Sequence, residues 1–370
     1  MDFGLVLTGG GARGAFQAGV VKALNDILIS EGLKKSGLFP IISGISAGAI
    51  NGALLASEAH TTNSGVDRLC EFWSTLKSSD IYRSDIPSMM GSVLRWMADL
   101  SSGGIYKRQL ASSLLDSTPL RDYLHDKINF DQINLNIKNG HLKSFSCSAF
   151  SYAENISICY FDSKHDEPWV RDRRRGEKRK IQVEHILASS AIPLIFRAIK
   201  IGNSYFGDGA LRNMAPISPI IHMGAKKVII IGVRPKNPLT HMGAEHYPSP
   251  SRIFGFMLNS LFFDAVEGDV ERILHINDII KAGKKEGEGI RSVEVLWIRP
   301  SMDIGILAEK LSSNLPRGIK YLLSGIGNKS EYAELASHIM FESEYTNKLV
   351  DLGISDTKVI KDDIKRFILG

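Results

Sequence analysis

Short apolar runs alternate with stretches of helical spacing along the first 235 residues. Continuous apolar runs at residues 3–7, 39–42 and 228–233 are typical of strands that are buried on both faces of a sheet. After the first of them, Phe16 and Val20 belong to a pattern with helical spacing. Further strand-like runs occupy residues 143–151, 155–162 and 199–206. This order predicts an α/β fold, in which a mainly parallel central sheet is covered by helices on both faces to form three layers.

The last third of the chain has a different pattern. Four prolines within residues 235–250 suggest a linker, and helix-like segments, a strand-like run at 293–298 and a charged tail follow it. We therefore predict one large domain over residues 3–235 and a mixed α/β extension over residues 236–370. The extension carries no catalytic motif. Completing or capping the core, regulating access and mediating association are the roles that its pattern leaves open.

Composition indicates a globular protein rather than a disulfide-stabilised or membrane-spanning one. The chain has 370 residues, of which 44% are hydrophobic, so it can bury a large core. Its three cysteines fit no disulfide framework or metal site, and Cys147 and Cys159 lie in strand-like runs, which predicts buried thiols in a reducing compartment. The first strand begins at Phe3, and no apolar run is long enough to cross a bilayer. We therefore expect a cytoplasmic protein without a signal peptide.

A serine at position 46 follows one predicted strand and precedes a helix-like run. Gly44 and Gly48 stand two residues to either side of Ser46. A sharp strand-to-helix turn tolerates only small neighbours, and it projects the serine hydroxyl into a cleft at the positive end of the helix dipole. The pattern therefore predicts a nucleophile elbow.

A glycine-rich loop follows the first predicted strand. Residues 9–14 read Gly-Gly-Gly-Ala-Arg-Gly, so the loop presents backbone N–H groups without bulky side chains. Such groups bind anions, and they suit either a nucleotide phosphate or the oxyanion of an acyl-transfer reaction. A purely structural turn is the third alternative. No Gly-Lys-Ser/Thr follows, and the next strand ends at an elbow serine, so we favour the oxyanion hole.

An aspartate between two glycines, Asp208, follows the strand-like run at 199–206. This setting is ordinarily that of a turn residue. The serine nucleophile nevertheless needs a base, and a carboxylate that takes its proton directly would give a two-residue Ser/Asp catalytic dyad. None of the ten histidines has a comparable setting. We interpret all ten as surface or helix residues.

These three motifs, in this order, resemble the signatures of the patatin-like phospholipase family, and the resemblance covers about residues 3–235. It implies Ser46 as the nucleophile and Asp208 as the base, which first activates the serine and then the water that releases the acyl group. The resemblance assigns the oxyanion amides to Gly10, Gly11 and Ala12. Arg13 would steady the loop or meet a lipid phosphate, and a solvated arginine is the alternative. The remaining motif positions are Gly9, Gly14, Gly44, Gly48, Gly209 and Ala210.

Two further features bear on the substrate. Residues 171–180 are mostly cationic, whereas the formal net charge of the chain is only +5, so the run is a local patch suited to anionic headgroups. Nucleic acid is less favoured, since aromatic residues are few there, and a solvated mobile loop is the alternative. Apolar segments at 86–97, 253–258 and 261–263 are candidates for a lid, although core packing is the more usual role of such segments.

The motifs predict a serine acyl hydrolase. The resemblance further implies an enzyme of the phospholipase A or lysophospholipase type, acting on fatty acyl esters of membrane glycerophospholipids. We expect no metal or cofactor. The expected partner is membrane phospholipid, with peripheral membrane contact when the enzyme is active; the oligomeric state is left open. An acyltransferase with the same acyl-serine intermediate and a lipid-binding signalling module are the alternatives. Because such an enzyme endangers its own cell, we expect latency until a ligand, partner or membrane opens the cleft.

Overall fold

The computed structural model describes residues 3–33, 37–101, 113–213, 215–236, 247–283 and 291–369. The strands in these ranges are β1 (Phe3–Leu7), β2 (Ile41–Ile45), β3 (Ser144–Ser151), β4 (Ile156–Ser163), β5 (Trp169–Arg171), β6 (Arg174–Lys178), β7 (Ile199–Ile201), β8 (Ser204–Asp208), β9 (Lys227–Ile231) and β10 (Glu294–Ile298). The helices of the first half are α1 (Gly14–Ser30), α2 (Ala47–Ser57), α3 (Val66–Thr75), α4 (Ser78–Ile81), α5 (Ile86–Ser101), α6 (Thr118–Lys127), α7 (Phe130–Lys138) and α8 (Val183–Ser189). Those of the second half are α9 (Ser218–His222), α10 (Pro250–Asn259), α11 (Ala265–Lys281), α12 (Ile304–Leu311), α13 (Arg317–Ile326), α14 (Lys329–Ile339), α15 (Ser343–Val359) and α16 (Lys361–Leu369). Short 3-10 turns at Gly11–Arg13 and Gly209–Arg212 follow β1 and β8, and a π-helical segment, Ser260–Asp264, joins α10 to α11.

The strands form a single sheet in the order β10-β9-β1-β2-β3-β4-β6-β5, and β8 and β7 extend it from the end of β3. The five strands from β10 to β3 are parallel to one another. The added strands β4 and β8 are both antiparallel to β3. The carboxyl ends of β1, β2 and β3 therefore lie at one edge of the sheet, and the prediction of a mainly parallel sheet is confirmed.

Helices cover both faces of this sheet, because alternate side chains of a strand point to opposite faces. In β1, Leu5 and Leu7 pack in a core that includes residues of α1, α2 and α15. Val6 packs instead in a second core with Ile220 of α9 and Val270 of α11. The sheet is thus the middle of three layers, as the sequence predicts.

Residues after position 235 contribute to the same sheet. Strand β10 pairs with β9 and completes the parallel set at that edge. Cys147 and Cys159 are buried, as predicted for thiols in strands. The boundary between residues 235 and 236 stays a prediction, and the middle of the expected linker, residues 237–246, lies outside the described residues.

Helices α1 and α15 approach each other closely at a pair of glycines. A Cβ atom on Gly353 would lie 2.8 Å from the Val20 amide nitrogen, and one on Gly19 would lie 2.8 Å from the Val350 carbonyl carbon. These neighbours are backbone atoms, which cannot move without moving the whole helix. The two glycines therefore set the distance between α1 and α15.

Gly353→Ala is expected to lower the free energy of unfolding by about 3 kcal/mol, because the new methyl group must separate the two helices. Gly268→Ala in α11 is the matched control, since a Cβ there would have nothing within 4 Å. The control is expected to raise the stability by about 0.5–1 kcal/mol through helix propensity. Urea unfolding of both variants measures the effects, and a Gly353→Ala protein as stable as the control would contradict the tight crossing.

Candidate active site

Ser46 occupies a strained turn between β2 and α2. Its backbone has φ 55° and ψ −126°, and a positive φ at a non-glycine residue of this kind costs about 1–3 kcal/mol. The Ser46 amide donates a hydrogen bond to the Ser189 hydroxyl at 3.0 Å, which holds the turn from the side of α8. This strand-turn-helix arrangement is the geometry of a nucleophile elbow.

The glycines around Ser46 are required by close backbone approaches. A Cβ on Gly44 would lie 2.6 Å from the Ala49 Cα, and one on Gly48 would lie 2.7 Å from the Thr8 carbonyl oxygen. A larger residue at position 44 would clash with the start of α2, and one at position 48 would push α2 away from the end of β1. The small residues of the motif thus keep Ser46 close to the end of β1.

The glycine loop at the end of β1 lies directly beside Ser46. A Cβ on Gly9 would be 3.2 Å from the Ser46 Cβ. Gly10 and Gly11 have φ 148° and 57°, and at these angles the backbone of a residue with a side chain would be strained. The amides of Gly10, Gly11 and Ala12 donate to no acceptor among the described residues. These N–H groups are therefore available to an anion next to the serine.

Asp208 ends β8 and is completely buried beside Ser46. Its backbone pairs with Ala149 of β3, and its Oδ1 accepts a hydrogen bond from the Ala210 amide at 2.9 Å. Burial raises the pKa of Asp208 to about 7, although the Ala210 amide and the Ser46 hydroxyl each lower it. The other oxygen, Oδ2, has no hydrogen-bond partner among the described residues.

Gly209 allows the turn after Asp208 to pass close to β3. A Cβ on Gly209 would lie 2.6 Å from the Ser148 carbonyl carbon. Ala210 follows it in the 3-10 turn and supplies the amide that holds the carboxylate. The structure thus brings the three predicted motifs together at the carboxyl edge of the sheet.

A small apolar cavity of about 30 Å³ lies beside Ser46. Its walls include Trp73, Leu76, Leu120, Ile192, Phe196 and Phe341. A pocket for a drug-sized ligand has at least about 300 Å³. Ser46 itself is only 1% exposed, so this structure is a closed form of the site.

Helix α14, in the C-terminal region, contacts the glycine loop. The Arg13 guanidinium is buried and pairs with Glu334, and its Nε donates a hydrogen bond to the Ser337 hydroxyl at 2.8 Å. The Nδ1 of His338 lies 3.0 Å from the Gly10 carbonyl oxygen. Burial lowers the pKa of His338 to about 3, so the imidazole is neutral at pH 7 and donates this hydrogen bond.

Burial opposes the ionisation of Glu334, but the charge of Arg13 and the hydrogen bonds from Arg13 and Asn259 outweigh it and lower its pKa to about 2. Arg13 therefore lies inside the protein and contacts Glu334 and Ser337 of α14, which support the glycine loop. This position favours loop stabilisation over the two alternatives, contact with a lipid phosphate and solvation.

One of the predicted lid segments packs against the glycine loop beside Ser46. Phe262 is buried in the π-helical segment, and a Cβ on Gly9 would lie 2.6 Å from its ring. Phe256 and Met257, in the segment before it, are exposed instead. For the third candidate, 86–97, the structure gives helix α5, but the side chains of Met89, Met90 and Trp96 lie outside the described part of the chain.

Sequence reasoning missed the supports that come from distant segments. His338 lies in a helix, as interpreted, but it is buried against the loop rather than solvated. Glu334 and Ser337 carried no local motif. The nearest signal was the cluster of small residues at 188–191, which places a hydroxyl beside the elbow.

The fold and this arrangement are typical of a serine-dependent acyl hydrolase of the α/β class. A family model described as patatin-like phospholipase matches residues 5–221. The chain belongs to the patatin-like phospholipase family and is thus a hydrolase. A search of curated protein sequences gave no match.

Two solved structures are similar to the chain. The crystal structure of VipD from Legionella pneumophila is 14% identical with a TM-score of 0.37, and the match covers 95% of this chain and 67% of VipD. The structure of the type III effector protein ExoU is 13% identical with a TM-score of 0.31, and the match covers 94% of this chain and 53% of ExoU. The chain thus spans about half the length of ExoU. Among the described residues, none of the helices has the length and apolar character to cross a membrane.

Proposed function

We propose that the chain hydrolyses fatty acyl esters of membrane glycerophospholipids through an acyl-Ser46 intermediate, with Asp208 as the base. The observation that carries the proposal is the convergence of a strained serine, unpartnered loop amides and a buried carboxylate at one sheet edge. A base acts best when its pKa lies near the operating pH, and the pKa of Asp208 is about 7. No other group beside Ser46 combines these properties among the described residues.

In the first half of the reaction, the Ser46 oxygen attacks the ester carbonyl carbon and its proton moves to Asp208 Oδ2. The amides of Gly10, Gly11 and Ala12 stabilise the negative oxygen of the tetrahedral intermediate. When the ester C–O bond breaks, the proton passes from Asp208 to the departing alkoxide, which leaves as a lysophospholipid. Ser46 is then an acyl ester.

In the second half, Asp208 takes a proton from a water molecule, and the resulting hydroxide attacks the acyl-serine carbonyl. The same amides stabilise the second oxyanion. Breakage of the bond to Ser46 Oγ releases the fatty acid, and the proton returns from Asp208 to the serine. Asp208 Oδ2 suits both transfers, because Oδ1 is already held by the Ala210 amide.

The closed cavity supports a latent enzyme. About 30 Å³ cannot hold a fatty acyl chain, and both Ser46 and Asp208 are buried. Phe262 and Phe341 belong to the C-terminal region and contact the loop or line the cavity. We expect these side chains to move when a ligand, a partner or a membrane surface opens the cleft.

Fatty-acid release from mixed phospholipid vesicles, with mass spectrometry of the lysolipids, tests the proposal. The wild type is expected to release fatty acid and to be labelled by a fluorophosphonate at Ser46. Ser46→Ala should lose both, with at least about a 10³-fold fall in rate. Ser190→Ala is the matched control, because Ser190 lines the same cavity but bonds only to α8 carbonyls, and it should retain labelling.

The outcomes separate the alternatives. Labelling at Ser46 without release from vesicles means a competent site that awaits its activator. Acyl transfer to an added alcohol in preference to water means a transferase. Neither labelling nor release by the wild type, with or without detergent, contradicts the proposed reaction.

A further inference from the structure

Three tight turns lie at the same sheet edge as Ser46. The first joins β3 to β4, the second joins β5 to β6, and the third joins β7 to β8. Strand β6 is parallel to β4 and both are antiparallel to β3, so the start of β6 lies at the carboxyl end of β3. Strand β8 is also antiparallel to β3, which places its start there as well. We call these turns and their flanks, residues 152–155, 170–175 and 200–205, together with Arg212, the docking edge.

The distance from this edge to the nucleophile follows from the sheet. Strand β6 is three strands away from β2, which Ser46 follows, and this separation is about 14 Å at 4.8 Å per strand. Tyr152 lies closer still, because a Cβ on Gly207, next to Asp208, would be 2.8 Å from its ring. A surface that binds the docking edge therefore lies next to the edge of the sheet that carries Ser46 and Asp208.

The docking edge exposes apolar and aromatic side chains at each turn. Val170 is 74% exposed, Tyr205 is 54% exposed and Tyr152 is 45% exposed. The two tyrosines are neighbours, since the Tyr152 amide donates to the Tyr205 carbonyl at 3.1 Å. Tyrosine combines an apolar ring with a polar tip, which suits the boundary between headgroups and acyl chains.

Positive charge is concentrated at the same edge. It carries six cations and two carboxylates, an excess of four, while the whole chain has 45 cations and 40 carboxylates. Arg175 pairs with Glu154 and ties the first turn to the second. Arg212 likewise bonds to Asn155 of the first turn. Arg171 and Arg173 are exposed and have no carboxylate partner among the described residues.

We infer that the docking edge binds the surface of an anionic phospholipid bilayer. Arg171 and Arg173 would contact the headgroup phosphates, while Val170, Tyr152 and Tyr205 enter the interface between them. The inference rests on the proposed function, because binding of the docking edge to a bilayer brings the closed site next to its substrate. Nucleic acid would also find cations here. The exposed valine and two tyrosines beside the turns nevertheless suit the flat apolar boundary of a bilayer better than a nucleic-acid groove.

Co-sedimentation with vesicles of phosphatidylcholine, with and without phosphatidylglycerol, tests the inference. All proteins carry Ser46→Ala, so that the vesicles stay intact. The pair Arg171→Gln and Arg173→Asn is expected to weaken binding to the anionic vesicles about 25-fold, since each near-surface cation contributes about 1 kcal/mol, or a factor of about five. Asparagine is chosen at 173 because this residue has φ 56°.

The matched control removes two cations from the opposite edge of the same part of the sheet. Lys164 and Lys178 are exposed there, and Lys178 pairs in register with Phe161 near the end of β4. Lys164→Gln with Lys178→Gln changes the net charge equally, and it is expected to leave vesicle binding within about twofold. Equal weakening by both pairs, or no binding of the parent protein to anionic vesicles, overturns the inference. Loss of RNA binding with unchanged vesicle binding overturns it in favour of nucleic acid.

A separate assay distinguishes this inference from the proposed function. Both pairs, made in the chain that retains Ser46, are expected to hydrolyse a water-soluble short-chain ester at the wild-type rate, because none of the four cations lies at the reacting atoms. If the wild type neither cleaves that ester nor labels at Ser46 while the vesicle results hold, the proposed function fails and the docking edge stands. If the wild type cleaves the ester and labels at Ser46 but the vesicle results fail, the docking edge alone is overturned.

Discussion

Asp208→Asn is expected to remove most of the ester hydrolysis and at the same time to stabilise the folded chain above pH 7. The amide cannot take the proton of Ser46 or of the attacking water, so we expect a fall in rate of about 10³–10⁴-fold. Asparagine keeps an oxygen for the Ala210 amide, so the turn after β8 should stay in place.

The effect on stability follows from the pKa of Asp208, which is about 7 in the folded chain against 3.8 for the ordinary value. Below about pH 4 the group is protonated in both states and costs nothing. As the pH rises to 7 and above, the unfolded chain ionises freely while the folded chain must ionise a fully buried group. The contribution of Asp208 to wild-type stability therefore falls over this window by about 4 kcal/mol.

Urea unfolding between pH 4 and pH 8 measures this difference. Asp208→Asn should match the wild type near pH 4 and exceed it by a few kcal/mol at pH 8. Asp122→Asn, an exposed aspartate of α6, is the control and should show no such dependence. The rate of ester hydrolysis by the wild type should also rise through about pH 7, where Asp208 becomes a base. A variant less stable than the wild type at pH 8 would contradict the buried, destabilising carboxylate.

Glu334→Gln is the second change with a large expected effect. It would leave the Arg13 guanidinium buried without a carboxylate partner, and breaking a buried ion pair in this way costs about 3–5 kcal/mol. The Glu334 side chain is 25% exposed, so solvent screening brings our expectation to the lower end, about 2–3 kcal/mol. The loss should also loosen the glycine loop, whose amides we propose as the oxyanion donors.

Unfolding measurements and steady-state kinetics with a water-soluble ester separate these two effects. We expect a lower kcat with KM nearly unchanged, because the amides act on the transition state rather than on the bound ester. The control is Glu331→Gln on the same helix, where the carboxylate only caps the N-terminus through the Asn328 amide. It should cost less than about 1 kcal/mol and leave kcat intact. Equal effects of the two substitutions would show that the ion pair with Arg13 has no special role.

The sequence predicts those parts of the site whose chemistry needs particular residues close together along the chain. Ser46 is recognisable because its turn requires Gly44 and Gly48, and Asp208 because a glycine must follow it against β3. The alternation of strands and helices likewise predicts the parallel sheet. These features depend on local backbone geometry, which single positions reveal.

The supports of the glycine loop could not be predicted in the same way. Arg13 and Glu334 are 321 residues apart, and any acidic residue on an amphipathic helix would look the same in the sequence. The cationic run at 171–180 is a comparable case. One interpretation was a mobile loop, but residues 169–171 and 174–178 form a hairpin that extends the sheet. Its strands have few apolar residues, because one edge of β5 and much of both strands face solvent.

The distance along the chain between Arg13 and Glu334 has a consequence for the order in which the protein is made. A ribosome adds about 5–20 residues per second, so the 321 residues between them take roughly 16–64 s to synthesise. Before that interval ends, the nascent chain already contains both Ser46 and Asp208, but its glycine loop still lacks the carboxylate that holds Arg13. Translation thus imposes a delay, and the loop reaches its final geometry only after α14 has left the ribosome.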